Sequence, residues 1–226
     1  MIPLHRHQLL WLKETSWHKV QDRDWDAQAR DCLAYWAEKR LPLVVTRQTC
    51  VADEASIAVG LPAPGRWSRR RLALGVARSD VLYFDEFPLA EKTIDLVPTP
   101  TRSAWRGLCA NLQATGVNAR VYGSYGWQWL SGLDHVRTGS DIDLWLSVSD
   151  LDQADAAVAC LQSFSSEPLR LDGELMFNDG TAVAWREWLA WRSGRVKGLL
   201  VKSLAASALV QSPTWQGVAA IAEVAQ

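Results

Sequence analysis

The sequence has no large surplus of either charge, no closely spaced cysteines and no long apolar run. A net charge of −1, from 24 basic and 25 acidic residues, provides no general positive field for a nucleic-acid polymer. The absence of a CxxC pair argues against zinc and favours free thiols at Cys32, Cys50, Cys109 and Cys160. No segment approaches the roughly 20 apolar residues of a membrane span, and the N-terminus lacks a signal-peptide core. We therefore expect a soluble cytoplasmic protein that binds no membrane.

Two prolines indicate where the chain divides. In Val97-Pro98-Thr99-Pro100 each proline disfavours helix in the residue before it, so we place a domain boundary there. Residues 1–97 then form a substrate- or partner-binding domain, and residues 98–226 form the catalytic domain. The apolar spacing and turn residues of the first part predict a helix over 24–40 capped by Asp24, a strand over 41–46, a turn over 60–65 and a strand over 72–76.

The second part alternates helices and strands. Its patterns predict a helix over 101–115, a strand over 119–122, a helix over about 125–133, a strand over 142–148, a helix up to about 164 and a strand over 199–202. Asn178-Asp179-Gly180 separates two further apolar runs and predicts a β-hairpin. This order indicates a mixed α/β domain.

Two aspartates on one predicted strand form the first part of a candidate active site. Side chains alternate along SDIDLWL, so Asp141 and Asp143 face one way while Ile142 and Leu144 point into the core. Neighbouring carboxylates repel each other, and a bound cation removes that repulsion. Mg²⁺ suits the position because it commonly binds carboxylate and phosphate oxygens together, with Mn²⁺ as the alternative.

Gly123 and Ser124 form the second part, between a predicted strand and a predicted helix. Glycine allows the backbone to approach a ligand closely, and the N–H groups at a helix start attract anions. A phosphate cradle beside metal-binding acids is what phosphoryl and nucleotidyl transfer require, because catalysis there is mainly positioning and charge neutralisation. The joint pattern predicts an enzyme that acts on a triphosphate.

This arrangement resembles the DNA polymerase β-type nucleotidyltransferase superfamily. The resemblance implies an α+β fold, with a nucleotidyltransferase-like mixed sheet and flanking helices preceded by a smaller α/β N-terminal domain. The interval between Ser124 and Asp141 is longer than is usual there, which predicts an extra loop around 131–138. The resemblance also implies a third carboxylate from a later strand, with Asp172 as first choice and Glu174 as runner-up.

A narrower resemblance extends over most of the chain. The segments GLPAPGRWSRRRLALGV, YGSYGWQWLSGL, TGSDIDLWL, RLDGELMFNDGTAVAWREW and VKGLLVKSL are similar to the malonate decarboxylase holo-[acyl-carrier-protein] synthase family, also called phosphoribosyl-dephospho-CoA transferase. The similarity is looser in the first half. It implies transfer of phosphoribosyl-dephospho-CoA from 2′-(5″-triphosphoribosyl)-3′-dephospho-CoA to a serine of the apo acyl-carrier subunit of malonate decarboxylase, with release of pyrophosphate.

The family reaction implies a role for each candidate residue. Asp141 and Asp143 would bind the metal, and Asp172 would share it or help deprotonate the incoming serine. The residues expected to contact the phosphates or pyrophosphate are Gly123, Ser124, Lys197 and Lys202. The basic cluster could bind the triphosphate or an acidic carrier protein, or could be a solvated loop; it comprises Arg66, Arg69, Arg70 and Arg71.

Aromatic residues and histidines receive more limited assignments. Trp127 and Trp129 follow the Gly-Ser pair, and because helix residues two apart face different ways, at most one should line the site while the other is core. Asp134 and His135, in the loop before the aspartate strand, are expected to be solvent-exposed. The histidines have no metal-binding spacing and are assigned no chemistry; they are His5, His7, His18 and His135.

Two other functions remain open from the sequence. One is a nucleotidyltransferase that modifies a small molecule, such as an aminoglycoside, or another protein hydroxyl. The other is an inactive relative that only binds nucleotide or tethers partners. The presence of Gly123, Ser124, Asp141, Asp143 and a third acidic candidate favours activity, because an inactive relative would normally have lost a metal ligand.

Overall fold

A computed structural model describes residues 4–48, 56–165 and 169–211, and Cys50 lies outside this part of the chain. The described residues form two sheets, each with its own apolar core. This architecture confirms the α+β class and the order of a smaller domain before a mixed sheet. No helix in the described part is long and apolar enough to cross a membrane, and the cytoplasmic location stays a prediction.

The first sheet is antiparallel in the order β4-β3-β2-β1-β5. The strands of this sheet and the helices of the same half are, in chain order, β1 (Leu9–Leu12), α1 (Trp17–Gln21), α2 (Ala27–Glu38), β2 (Leu43–Val45), β3 (Ser56–Pro62), β4 (Arg71–Ala77) and β5 (Val81–Asp85). Alternate residues of β3 are buried in a core that includes the apolar faces of α1 and α2. The other face of β3 therefore remains available to line a cleft.

The second sheet has the order β11-β10-β9-β8-β7-β6. Its elements are α3 (Arg102–Ala114), β6 (Ala119–Tyr122), α4 (Gly123–Ser131), β7 (Ile142–Val148), α5 (Leu151–Ser163), β8 (Leu171–Phe177), β9 (Ala182–Ala184), α6 (Trp185–Arg192), β10 (Leu199–Lys202) and β11 (Ser207–Val210). β7 and β8 are parallel and joined through α5, whereas the other neighbours pair antiparallel. The predicted strands and hairpin of this half are thus present.

Two local predictions in the first half are wrong. The helix predicted from residue 24 begins at Ala27, where the side chain of Asp26, not Asp24, accepts a hydrogen bond from Ala29 N at 3.0 Å. The Trp25 indole donates to Val20 O, and this hydrogen bond holds Trp25 in the turn between α1 and α2. The helix therefore begins only after Trp25. Gly60, predicted in a turn, lies inside β3, where it pairs with Val44 and Ala73.

The region between the two sheets contains short 3-10 helices at Ala90–Leu96 and Thr99–Thr101. Phe87 packs in the core of the first sheet, whereas Ala90 and Val97 pack in the core of the second. The segment before Pro98 therefore already contacts the second sheet. The proposed division at residues 97 and 98 stays a prediction.

Candidate active site

The aspartate pair lies where β7 begins, next to β6 and β8. Asp141 directly precedes the strand, and Asp143 is in register with Tyr122 on β6 and with Asp172 on β8. Ile142 and Leu144 are completely buried. The alternation expected from the sequence therefore leaves both aspartates on the face away from the core.

Gly123, the first residue of α4, lies against the carboxylate of Asp143. Its φ is +59°, and a Cβ atom placed on it would come 1.8 Å from Asp143 Oδ2. Only glycine suits both the left-handed backbone and this approach. β6 and β7 are adjacent, so the start of α4 and the aspartates occupy the same end of the sheet. The structure thus brings together the two parts of the candidate active site that the sequence predicts.

Asp143 carries negative charge that no neighbouring cation balances. Burial, followed by the charges of Asp172, Asp141 and Glu174, raises the pKa of Asp143 to about 6. Among the described residues no ion pair involves this carboxylate, whereas Asp141 Oδ1 accepts a hydrogen bond from Arg170 Nε at 2.8 Å. A ligand bearing positive charge would therefore relieve repulsion at Asp143.

The two candidates for the third carboxylate occupy different environments. Asp172 is exposed and in register with Asp143, and its Oδ1 accepts only from the adjacent Gly173 N among the described contacts. Glu174 is only 5% exposed and is surrounded by cationic side chains. Asp172 is the carboxylate that remains free to take part in chemistry beside Asp143.

Glu174 is the centre of an ion network that joins the two halves of the chain. Arg6 Nε donates to its Oε2 at 3.4 Å, Lys202 Nζ donates to its Oε1 at 2.8 Å, and His7 Nε2 hydrogen-bonds Oε2 at 3.1 Å. Burial alone would raise the pKa of Glu174, but these hydrogen bonds and the Arg6 charge outweigh it and hold the pKa well below its usual range. Lys202 is therefore bound to a carboxylate in this structure, and Lys197 is exposed on the surface.

His7 reaches the site although the sequence assigned it no chemistry. Its ring stacks on Tyr122 with centroids 4.1 Å apart, and its backbone has a φ of +62°. Such a conformation is uncommon outside glycine and persists only where the surroundings hold it. His7 and Glu174 are 167 residues apart, so no local pattern could have indicated their contact.

A cleft of about 890 Å³ lies between the two sheets. One side contains Gly123, Ser124, Asp141 and Asp143. The other side is formed by the free faces of β2, β3 and β4 and by the turn before β4. The predicted loop between α4 and β7 completes the rim. The first half of the chain thus forms part of the wall of the candidate active site.

The basic cluster divides between the cleft and the outer surface. Arg69 and Arg71 line the cleft, and Arg69 Nη1 donates to His135 O at 3.3 Å. Arg66 lies over the Trp67 ring at 3.8 Å, and Arg70 Nη1 pairs with Asp26 at the start of α2. Only Arg69 and Arg71 of this cluster face the candidate site. Arg137, from the loop before β7, adds a cation that sequence analysis missed.

Trp127 is the tryptophan of α4 that lines the cleft, in agreement with the prediction that at most one does. It packs edge-on against Phe87 and belongs to the first core. Trp129 is 43% exposed and not core, because its indole donates to Lys92 O on the outer side of the helix. The expected exposure of His135 is also wrong, since it stacks beside Trp127 and is 7% exposed.

The donor set around Asp143 fits a divalent cation that substrate oxygens also bind. Within residues 4–48, 56–165 and 169–211, no three His, Cys, Asp or Glu side chains are grouped as a complete metal site. Mg²⁺ does not require one, because it is usually bound through one or two carboxylates together with water and substrate phosphates. The uncompensated carboxylate of Asp143 and the adjacent Asp172 match this requirement.

Comparison with known proteins extends the similarity over both halves. Residues 5–87 match the family model described as phosphoribosyl-dephospho-CoA transferase MdcG N-terminal domain, and residues 88–213 match the corresponding C-terminal domain. No solved structure matches the chain.

Curated relatives match over nearly their full length. A phosphoribosyl-dephospho-CoA transferase of Bradyrhizobium diazoefficiens is 36% identical, over 89% of this chain and 88% of the relative. A protein with the same name from Xanthomonas euvesicatoria pv. vesicatoria is 34% identical, over 88% of this chain and 90% of the relative. One from Pseudomonas putida is 31% identical, over 92% of this chain and 93% of the relative. The chain therefore belongs to the phosphoribosyl-dephospho-CoA transferase family.

Proposed function

We propose that this protein transfers phosphoribosyl-dephospho-CoA from 2′-(5″-triphosphoribosyl)-3′-dephospho-CoA to a serine of the apo acyl-carrier subunit of malonate decarboxylase. The observation that carries the proposal is the apposition of Asp143 to Gly123, with Asp172 in register beside it, inside a cleft bounded by both halves. Family membership over both halves supports the transferase activity. The same membership supports the carrier subunit as acceptor.

The reaction exchanges a phosphoanhydride bond of the triphosphate for a phosphodiester bond to serine. The serine oxygen attacks the phosphorus atom nearest the ribose, a new P–O bond forms, and the bond to the outer two phosphates breaks to release pyrophosphate. The serine proton must leave as this bond forms. Asp172 is exposed next to Asp143 and is our candidate to accept it.

The charged groups of the cleft match the two ends of such a substrate. Gly123 and Ser124, at the start of α4, present backbone N–H groups to phosphate oxygens. Arg69 and Arg71 lie on the opposite wall and suit the remaining phosphate charge, because guanidinium groups bind phosphate through paired hydrogen bonds. We leave Arg70 out of this set, because it pairs with Asp26 away from the cleft.

We further propose that the enzyme uses Mg²⁺ or Mn²⁺. Asp141 and Asp143 would hold the ion, and Asp172 would either share it or act only as the acceptor of the serine proton. When bound, the ion supplies positive charge that stabilises the phosphates and the departing pyrophosphate. Asp141 accepts a solvent-exposed hydrogen bond from Arg170. Exposed ion pairs contribute little stability, so a metal ion could replace this contact at small energetic cost.

The test is a mass measurement on the carrier subunit. The full chain is incubated with Mg²⁺, triphosphoribosyl-dephospho-CoA and apo carrier, and the intact mass of the carrier and the released pyrophosphate are followed together. We expect the carrier to gain one phosphoribosyl-dephospho-CoA on a serine for each pyrophosphate released. Addition of EDTA should stop the reaction, and excess Mg²⁺ should restore it.

Matched variants separate chemistry from folding. Asp143→Asn removes the charge and keeps the shape, so it should abolish transfer in a folded protein. Asp179→Asn makes the same change in the β8–β9 hairpin, outside the cleft, and should retain transfer. If the carrier gained no mass while another hydroxyl acceptor was modified, the acceptor would be wrong; near-normal transfer by Asp143→Asn would contradict the metal assignment.

A further inference from the structure

The wall of the cleft opposite the aspartates contains a row of three residues without large side chains. Val44 pairs with Gly60, and Gly60 pairs with Ala73, so these residues form one line across β2, β3 and β4. They lie on the face of the sheet opposite the buried side chains of Val59 and Leu61. We call Val44, Gly60 and Ala73 the small-residue row. All three line the cleft.

The shape of this row suits a planar group. Glycine inside a strand weakens the strand and often marks a place where a ligand or another backbone approaches closely. A Cβ atom on Gly60 would lie 3.0 Å from Cγ2 of Thr46, which borders the row, so a side chain at position 60 would have to displace that methyl group. Ala73 is exposed on the same face. The absence of large side chains along the row leaves a surface on which a ring can lie.

The chemistry around the row favours an anionic ligand. Arg71 pairs with Pro62 two residues along from the Gly60–Ala73 pair, on the same face of the sheet, and Arg69 and Arg137 line the same cleft. Neither Arg71 nor Arg137 has an acidic partner among the described residues. Guanidinium groups that line a cleft and have no carboxylate partner of their own are suited to binding phosphate.

A buried side chain without a partner provides independent support. His135 is 7% exposed and lines the cleft, yet its Nε2 has no hydrogen-bond partner in the described part of the chain. Its backbone is fixed, because Gln128 Oε1 accepts from His135 N and Val136 N at 3.1 and 2.9 Å. Buried polar atoms are normally satisfied, so an unpaired one in a cleft suggests a ligand that supplies the partner.

We propose that the small-residue row is the nucleoside subsite of the cleft. A planar base lies on Val44, Gly60 and Ala73, and the phosphates attached to that nucleoside reach Arg69, Arg71 and Arg137. This inference rests on the proposed function and assigns the N-terminal half a task in it, which is to hold the dephospho-CoA part of the substrate. The triphosphate then extends towards Gly123 and Asp143.

The test is the binding of dephospho-CoA, which carries the nucleoside but no transferable triphosphate. Ala73→Leu places a branched side chain on the row at an exposed strand position, so the fold should be retained. We expect its dissociation constant for dephospho-CoA, measured by calorimetry, to rise at least tenfold. Binding of inorganic triphosphate should remain within about twofold of the original protein, because that anion does not need the row.

Ala110→Leu is the matched control, since it makes the same change on an exposed position of α3 outside the cleft. It should bind both ligands as the original protein does. Unchanged dephospho-CoA affinity in Ala73→Leu, or equal weakening of both ligands, would overturn the subsite.

The two proposals fail separately. If the original protein modifies the carrier and Ala73→Leu does so with an unchanged KM for the nucleotide substrate, only the subsite is wrong. If the original protein binds dephospho-CoA in an Ala73-dependent way but never modifies the carrier, the subsite stands and the proposed function does not.

Discussion

Gly123 lies directly against the carboxylate of Asp143, since a Cβ atom on the glycine would come 1.8 Å from the aspartate Oδ2. The glycine also has a φ of +59°, which side-chain-bearing residues rarely adopt. The first residue of α4 thus sets the position of the carboxylate on β7. The position of the phosphate cradle at Gly123 and the position of the Asp143 carboxylate therefore depend on each other. A side chain added to the glycine must displace the carboxylate.

Gly123→Ala tests this coupling. The added methyl group must displace the Asp143 carboxylate, and a displacement of about 1 Å can lower the rate of an enzyme by about 100-fold. We therefore expect carrier modification to slow by about that factor. The positive φ should also lower the free energy of unfolding by about 1–3 kcal/mol. Initial rates and denaturant unfolding measure the two effects separately.

Gly180→Ala is the control for backbone strain. Gly180 has a φ of +80°, and an added Cβ would meet nothing within 4 Å. It lies in the hairpin between β8 and β9, outside the cleft. We expect a similar loss of stability with an unchanged rate per folded molecule. An equal loss of activity in both variants would show that strain, and not the approach to Asp143, explains the effect.

Asp172→Asn and Glu174→Gln should separate the two candidate carboxylates. Asp172 is exposed beside Asp143, so its neutral variant should fold normally and lose transfer by at least about 100-fold. Glu174 neutralises Arg6 and Lys202, so Glu174→Gln should lower the free energy of unfolding by roughly 3 kcal/mol. Urea unfolding and the rate per folded molecule identify the role of each. The assignment of Asp172 is wrong if its variant keeps full activity.

The local parts of the site could be predicted from the sequence because they depend on near neighbours. The glycine that begins α4 and the alternation around Asp143 are set by residues a few positions away. Pairing of β6 with β7 then brings them together. The hairpin at Asn178-Asp179-Gly180 is similarly encoded by its turn, and all three features are present.

The remaining contacts depend on distant parts of the chain. No local pattern around Arg6 or His7 indicates their contacts with Glu174. Glu174 lies on a strand of the second sheet, far along the chain, and only the folded structure brings it close to them. The orientation of the arginines depends on a turn in which Ser68 and Arg69 both have positive φ. In that turn Arg69 faces the cleft, whereas Arg70 forms an ion pair with Asp26. Three consecutive arginines in the sequence do not reveal this difference.

Arg71→Ala and Arg70→Ala test that distinction directly. Arg71 lines the cleft, and a charge-assisted hydrogen bond contributes about 1.5–3 kcal/mol, so its removal should raise KM for the nucleotide substrate by about 10- to 100-fold. Arg70 contacts Asp26 on the outer surface, and its removal should leave KM unchanged. Steady-state kinetics with saturating carrier measures both. Equal increases in KM would mean that the whole cluster acts through its overall charge.

The acid stability of the protein should depend on His135. Burial, followed by the charge of Arg69, lowers the pKa of His135 to about 4, and Asp134 only partly opposes this shift. In the unfolded chain the pKa of histidine is about 6.5. The unfolded state therefore takes up the proton first, and the stability contributed by neutral His135 is lost as pH falls from about 6.5 to about 4.

His135→Gln removes this titration while keeping a polar side chain of similar length. The difference in pKa corresponds to at most about 3 kcal/mol. Between pH 7 and pH 4 the free energy of unfolding should therefore fall further in the original protein than in the variant, by up to that amount. The pKa of His5 is raised, against the effect of its burial, chiefly by the hydrogen bond and charge of Glu86, which gives the opposite dependence on pH. Both proteins retain His5, so its contribution cancels in the comparison. Urea unfolding at pH 7 and pH 4 gives the required difference, and parallel curves would place the acid sensitivity elsewhere.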